Sequence, residues 1–234
     1  MRFAEPLIAG RFVRRYQRFL ADFVLADGQQ VVAHCANPGS MLTCLQPGAR
    51  AWLSRRPDPR RKLRFTWEIA EVGRARIYVN PVRSNHLVAE AVEAGWVPEL
   101  AGYDRLRREV RVGSSRIDLL LEREEQRCYV EVKSATLRLG PRLAGFPDAV
   151  TERGRRHLDE LVRLVGAGHR AVLFFTVNRT DAHAMAPADG IDPLYGATLR
   201  YALQAGVEVL AYRTRISPRG VKIDHSVPFR IQPG

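Results

Sequence analysis

The chain has 234 residues, 46% of them hydrophobic and 26% charged, with a net charge of +12. That balance argues against extended disorder and allows one large domain or two modest ones, of which two are expected. The first apolar stretch, Leu7 to Ala9, is far too short for a signal-peptide core and no run approaches a membrane span, so a cytoplasmic protein without membrane contact is expected.

Residues 1–80 alternate short apolar runs with turn signals. The runs are Leu7 to Arg18, Phe19 to Leu25, Val31 to Cys35, Ala49 to Ser54, Phe65 to Glu71 and Arg76 to Val79. Asp27-Gly28, Pro38-Gly39, Pro47-Gly48 and the basic Arg55-to-Lys62 segment separate them, with Gly73 at a tight hairpin. The pattern predicts an all-β unit, and a small closed barrel fits it.

After Asn80-Pro81 the period changes. Leu87, Val88, Ala91 and Val92 form one face of a helix that Gly95 ends, which divides the chain into domains at 1–81 and 82–234. Two strand-like runs follow, Ser115 to Leu121 and Arg127 to Ser134, joined by the polar Glu122 to Gln126 as an antiparallel hairpin. A helix is predicted from Thr151 to Val165, stopped by Gly166 and Gly168. A strand (Ala171 to Val177), a helix (Pro193 to Ala205) and a strand (Val207 to Tyr212) then give the alternation of an α/β domain. Cys35, Cys44 and Cys128 are odd in number and lack CxxC spacing, so they read as buried small hydrophobes.

The positive charge is uneven. Residues 1–80 carry 14 Lys+Arg against 6 Asp+Glu, and residues 81–234 carry 23 against 19. Clustered guanidinium groups attract polyanions, so nucleic acid is the expected partner; arginine-rich codon usage is the blander source of the same excess. In the first domain Arg11, Arg14, Arg15 and Arg18 lie among Phe12, Tyr16 and Phe19, a mixture suited to phosphate contacts beside stacking rings, although barrel cores use such rings too.

The candidate chemistry lies in the predicted hairpin. Glu131 and Lys133 are two apart on a strand and point to one face, while Val130 and Val132 point to the other. A turn centred between Glu124 and Glu125 sets Asp118 opposite Glu131. Opposed Cβ atoms lie about 4.5–5.5 Å apart, and two carboxylates that close repel unless a cation or proton sits between them. Magnesium, or manganese in its place, suits such hard oxygen ligands, and Lys133 would face the same ion. Lys133 is one of three lysines beside 34 arginines, which hints at a role that needs a compact ammonium. The alternative is a solvated strand face. On the helix at 151–165, Arg153, His157 and Glu160 share a face apart from the apolar stripe and could meet a phosphate backbone or simply be wet. Glu90 flanks the stripe of its own helix and reads as a surface residue or a further carboxylate ligand.

These residues resemble a known family, the sugar fermentation stimulation proteins, over essentially the whole chain. The segments that carry the resemblance are Cys35-Ala36-Asn37-Pro38-Gly39-Ser40-Met41, Ser115-Arg116-Ile117-Asp118, Tyr129-Val130-Glu131-Val132-Lys133-Ser134 and Phe146-Pro147-Asp148-Ala149-Val150-Thr151-Glu152-Arg153-Gly154. The resemblance implies an N-terminal OB-like β-barrel, a C-terminal α/β domain similar to PD-(D/E)XK nucleases, DNA binding without strong sequence preference, and a regulatory role in sugar metabolism, maltose in particular. It sets Asp118, Glu131 and Lys133 at the nuclease signature positions and makes Glu90 the upstream helix acid. Two departures stand out: the family's Asn-Thr-Gly-Ser is Asn-Pro-Gly-Ser here, and Ile117 stands where many nucleases have proline. A DNA-binding protein without turnover and a magnesium-dependent nuclease are therefore the two functions to separate.

Overall fold

The computed structural model describes residues 1–55, 62–113 and 115–231; most of the basic Arg55-to-Lys62 breaker, residues 56–61, lies outside the described residues. Six strands open the chain: β1 (Ile8–Tyr16), β2 (Leu20–Leu25), β3 (Gln30–His34), β4 (Arg50–Arg55), β5 (Phe65–Val72) and β6 (Ala75–Tyr78). Each falls on one of the alternating runs. The first run stops at Tyr16 rather than Arg18 because Gln17 and Arg18 turn the chain at φ of 48° and 61°. The strands pair in the order β3-β2-β1-β4-β5-β6, and β3 also pairs with β5, so five of them close into a barrel with β6 on its flank. Closure leaves no free edge among those five. Inside, Phe12 stacks on Trp67 at 5.0 Å and Phe23 meets the same indole edge-on at 5.2 Å. Alternation explains the rest, since Phe12 points inward while Val13 and Phe19 stay exposed.

The second unit begins with α1 (Ser84–Glu93), followed by β7 (Arg105–Val112), β8 (Ser115–Arg123), β9 (Gln126–Ala135), β10 (Leu137–Gly140) and β11 (Leu143–Phe146). Then come α2 (Glu152–Gly166), β12 (Arg170–Val177), β13 (Ala184–Pro187), α3 (Pro193–Gln204), β14 (Glu208–Ser217) and β15 (Gly220–Ser226). The main sheet runs β15-β14-β12-β9-β8-β7, with β9, β12 and β14 parallel and the other pairs antiparallel. Strands β10, β11 and β13 form a small separate sheet. Helix α1 lays Val88 and Ala91 on one face of the main sheet, against Leu119, Val130 and Phe174. Helices α2 and α3 cover the other with Leu158, Leu161 and Leu199, against Leu120, Tyr129 and Leu173. The three cysteines are free and buried, as their spacing implied.

The two units are joined by buried polar contacts. Arg179, just past β12, is 1% exposed. Its Nη1 donates to the Thr136 carbonyl at 2.9 Å and to Thr43 Oγ1 in the barrel at 3.3 Å, while Nε and Nη2 clamp Asp181 at 3.0 and 2.9 Å. The Asn37-to-Met41 loop meets the segment ahead of α2: Met41 donates its N–H to Asp148 Oδ2 at 2.9 Å, and Ser40 Oγ donates to the Asp148 carbonyl. A Cβ at position 39 would lie 2.1 Å from Asp148 Oδ1, so only glycine permits this approach. Two of the segments that carry the family resemblance thus meet each other.

Arg179→Met is expected to destabilise the protein by about 2–3 kcal/mol in denaturant unfolding, because the Thr136 carbonyl loses a charge-assisted donor in a buried place. A loss well under 1 kcal/mol would show that the arginine does not tie the units together.

Candidate active site

The β8–β9 hairpin pairs Arg123 with Gln126 and continues through Leu119↔Val130, so one further step sets Asp118 opposite Glu131. This is the register that the turn at Glu124-Glu125 implied. The regular ladder stops there. In its place Asp118 Oδ2 accepts the Val132 N–H at 2.8 Å. A side-chain oxygen takes the place of a ladder carbonyl, which satisfies the amide and holds the carboxylate beside β9.

Glu131 is 2% exposed. Its Oε1 accepts from Lys133 Nζ at 2.7 Å and from His157 Nδ1 on α2, while its Oε2 has no partner among the described residues. Arg153, one helical turn before His157, donates from Nε to His157 Nε2 at 3.3 Å. An accepting Nε2 assigns the proton to Nδ1, which then donates to Glu131. Burial alone pushes the Glu131 carboxyl up, but the His157 hydrogen bond and the Lys133 charge outweigh it and hold the group below the usual carboxylate range. At Asp118 the Val132 amide, the Lys133 charge and Asn85 favour the ionised form but are outweighed. Burial, and next the Glu131 charge, raise its carboxyl to about 7. The pair therefore has one firmly ionised member and one whose charge is resisted by its surroundings.

One further side chain reaches Asp118 and ties it to a third carboxylate. Asn85, in the first turn of α1, donates from Nδ2 to Asp118 Oδ1 at 2.6 Å and to Glu109 Oε1 at 2.8 Å. Glu109 lies on β7 between Arg108↔Leu119 and Val110↔Ile117, hence opposite Asp118, with φ of 55°. Neither residue carries a sequence signal. Asn85 precedes the apolar stripe of its helix, and β7 is an edge strand whose charges hide its alternation.

The structure does not bring Glu90 to this cluster. Five residues beyond Asn85 it lies on another face of α1 and accepts from the Met1 ammonium at 2.5 Å. Asn85 is the α1 side chain at Asp118. Glu160 is no wet-face residue either: it is 3% exposed and bonded to Arg163 and to Ser115 Oγ. Of the expected nucleic-acid contacts, Arg153 stays exposed at the rim of the site. Arg15 is committed inside the protein, donating to the carbonyls of Arg18, Asn37 and Gly39 at 2.8 Å each. Arg11 bonds the Gly48 carbonyl at 3.0 Å, Arg14 pairs with Asp22 at 2.8 Å beside the Tyr16 ring, and Arg18 is exposed at the β1–β2 turn.

Among the described residues, no three His, Cys, Asp or Glu side chains gather as a ready-made metal cage. A cation at this point would draw on Asp118 and Glu131, whose unpartnered Oε2 fits that role.

Two family descriptions match the chain: the sugar fermentation stimulation protein RE domain over residues 82–220, and the SfsA N-terminal OB domain over residues 13–79. The chain belongs to the sugar fermentation stimulation protein family. Sugar fermentation stimulation protein homologs from Thioalkalivibrio sulfidiphilus and Pelobacter propionicus are 52% and 54% identical, over 96% and 95% of this chain and 95% and 97% of their own. Among solved structures, SfsA from Pyrococcus furiosus in complex with Ca2+ matches with a TM-score of 0.89 and 28% identity, covering 99% of this chain and 98% of its own. The fold is thus the expected OB-like barrel followed by an α/β domain, and the calcium-bound structure shares it over nearly the whole chain.

Asp118→Asn keeps the shape and removes the resisted charge. A carboxyl raised in the folded state costs stability once the unfolded chain can ionise it, so the variant should melt no lower than wild type in a chelator at about pH 8. A clear drop in melting temperature would mean that the second acceptor oxygen, toward Val132 or Asn85, is worth more than the resisted charge costs.

Proposed function

We propose that this chain is a cytoplasmic DNA-binding protein in which Asp118, Glu131, Lys133 and His157 form a metal-dependent phosphodiesterase site acting on DNA without strong sequence preference. The observation that carries the reading is the buried Glu131 carboxylate, with one oxygen free and Asp118 at the adjoining register position. A divalent ion, magnesium or manganese, would be held by Asp118 and Glu131 and would supply charge neutralisation at a phosphate oxygen. The calcium complex of the Pyrococcus furiosus relative supports a divalent ion for the family.

The protein's own groups have distinct tasks. His157 and Lys133 fix Glu131 Oε1 and so keep Oε2 free. The Lys133 ammonium, buried beside the carboxylate, can donate to a non-bridging phosphate oxygen as charge builds there. Arg153 orients His157 and, being exposed, can also meet the strand.

A second reading is favoured by one observation. Lys133 by itself neutralises Glu131, and His157 hydrogen-bonds the same oxygen, so Glu131 is satisfied without a cation, and DNA binding without turnover would suffice for a regulatory role in sugar metabolism, maltose included. Duplex, single-stranded and branched DNA, incubated with magnesium, manganese or a chelator, separate the two. Metal-dependent cleavage is expected, reduced by about 100-fold or more in Lys133→Ala while DNA binding persists. Binding with no cleavage in any metal selects the second reading. In either case log affinity should fall against log salt with a slope of about −0.9 per phosphate contact, and a flat response would remove DNA as the partner.

A further inference from the structure

At the far end of α1 from Asn85, the β14–β15 turn and the first two residues line an open cavity of about 530 Å³ that the proposed phosphodiesterase site does not use. Its wall is built by backbone. Val221 donates its N–H to the Met1 carbonyl at 3.1 Å and Phe3 donates to the Arg219 carbonyl at 3.2 Å. A Cβ at position 220 would lie 2.6 Å from the Met1 carbonyl oxygen, so the glycine lets the two segments close. On the opposite side Gly95, at φ of 72°, turns the chain out of α1, and the Trp96 N–H then bonds the Ala91 carbonyl at 2.9 Å, which sets the indole at the rim.

The charges around the cavity do not balance. Glu90 is its only carboxylate and already holds the Met1 ammonium, and Arg215 is paired with Asp224 at 2.8 Å. Arg2, Arg219 and Lys222 line the same space with no carboxylate partner among the described residues. Three unneutralised cations converging on one concavity call for a compact anion with several charges. The aromatic component is as specific. Trp96 is 48% exposed, and the Lys222 ammonium lies 4.9 Å from its ring centroid. A phosphate drawn to Lys222 therefore brings whatever it carries against the indole, and a planar base gains there by stacking. A cavity of this size falls within the ~300–1,000 Å³ of small-molecule sites. Lys222 is also one of only three lysines in an arginine-rich chain, and a flexible ammonium can follow a phosphate chain where a planar guanidinium is more demanding.

We infer that this cavity binds a nucleoside polyphosphate, with Arg2, Arg219 and Lys222 on the phosphates and Trp96 on the base.

The test is calorimetry on the full chain in a chelator, so that Asp118 and Glu131 hold no cation. The probes are ATP, inorganic tripolyphosphate and adenosine, with an oligothymidylate of about twelve nucleotides as competitor. ATP should bind one to one, about tenfold or more tighter than tripolyphosphate, the difference being the stacking on Trp96. Trp96→Leu should bring ATP down to the tripolyphosphate affinity. Arg219→Ala with Lys222→Ala should weaken ATP by about tenfold or more, since two charge-assisted contacts are lost, whereas Arg14→Ala should leave it unchanged. All these side chains are exposed, so the variants keep the fold, which circular dichroism verifies. The inference is overturned if ATP shows no saturable binding, if tripolyphosphate binds wild type as tightly as ATP, if the double variant binds ATP like wild type, or if the oligonucleotide displaces ATP at equal concentration.

Discussion

The site rests on one exchange of hydrogen-bond acceptors, the Asp118 carboxylate taking the Val132 amide where the β8–β9 ladder would otherwise continue. An amide this deep must be satisfied, and a carboxylate brought in to satisfy it is itself removed from water. Its neighbour across the hairpin, Glu131, is kept ionised by Lys133 and His157, so the cost of like charge falls on Asp118, whose carboxyl rises to about 7. Burial, register and the short spacing from Glu131 to Lys133 are thus one arrangement. A third carboxylate, Glu109, stands on the next strand in the same row and is tied to Asp118 through Asn85.

The helices complete the arrangement from both faces of the sheet. Helix α1 offers Asn85 from its first turn to one partner, while α2, capped by the Thr151 side chain on the Gly154 N–H at 3.0 Å, presents His157 to the other. The start of α2 is fixed further, because Asp148 just ahead of it is latched to the barrel loop at Ser40 and Met41. The barrel is therefore coupled to the helix that carries His157. Close backbone approach at Gly39 and the carbonyl clamp of Arg15 make the loop rigid enough for this coupling to matter.

Much of this was legible in the residues. Period-two runs divided by Gly and Pro located all six strands of the first unit, and symmetric spacing about Glu124-Glu125 yielded the hairpin register. The 3.6-residue stripes located α1 and α2, and the strand–helix–strand alternation located α3. What stayed hidden depends on tertiary placement. Strand β7 reads as a charged stretch because its edge position exposes it, so Glu109 could not be seen as a neighbour of Asp118. The resemblance made Glu90 the helix acid, but the phase of α1 relative to β8 decides which side chain arrives, and it brings Asn85, a phase that a sequence does not reveal. Glu160 looked solvated since its helix face is polar, yet that face packs near the start of β8 and buries it. Arg15 looked like a phosphate contact until the carbonyls of the Asn37-to-Met41 loop claimed it.

In the proposed site Asp118 and Glu131 share one divalent cation. Crystals of wild type and Asp118→Asn soaked in manganese, with anomalous difference maps computed for each, address it without reference to turnover. A single strong peak is expected in wild type within about 2.5 Å of a carboxylate oxygen of both residues, on the side of Glu131 Oε2, and no peak there in the variant. A saturating soak that leaves this position empty in wild type, or fills it equally in Asp118→Asn, would contradict it.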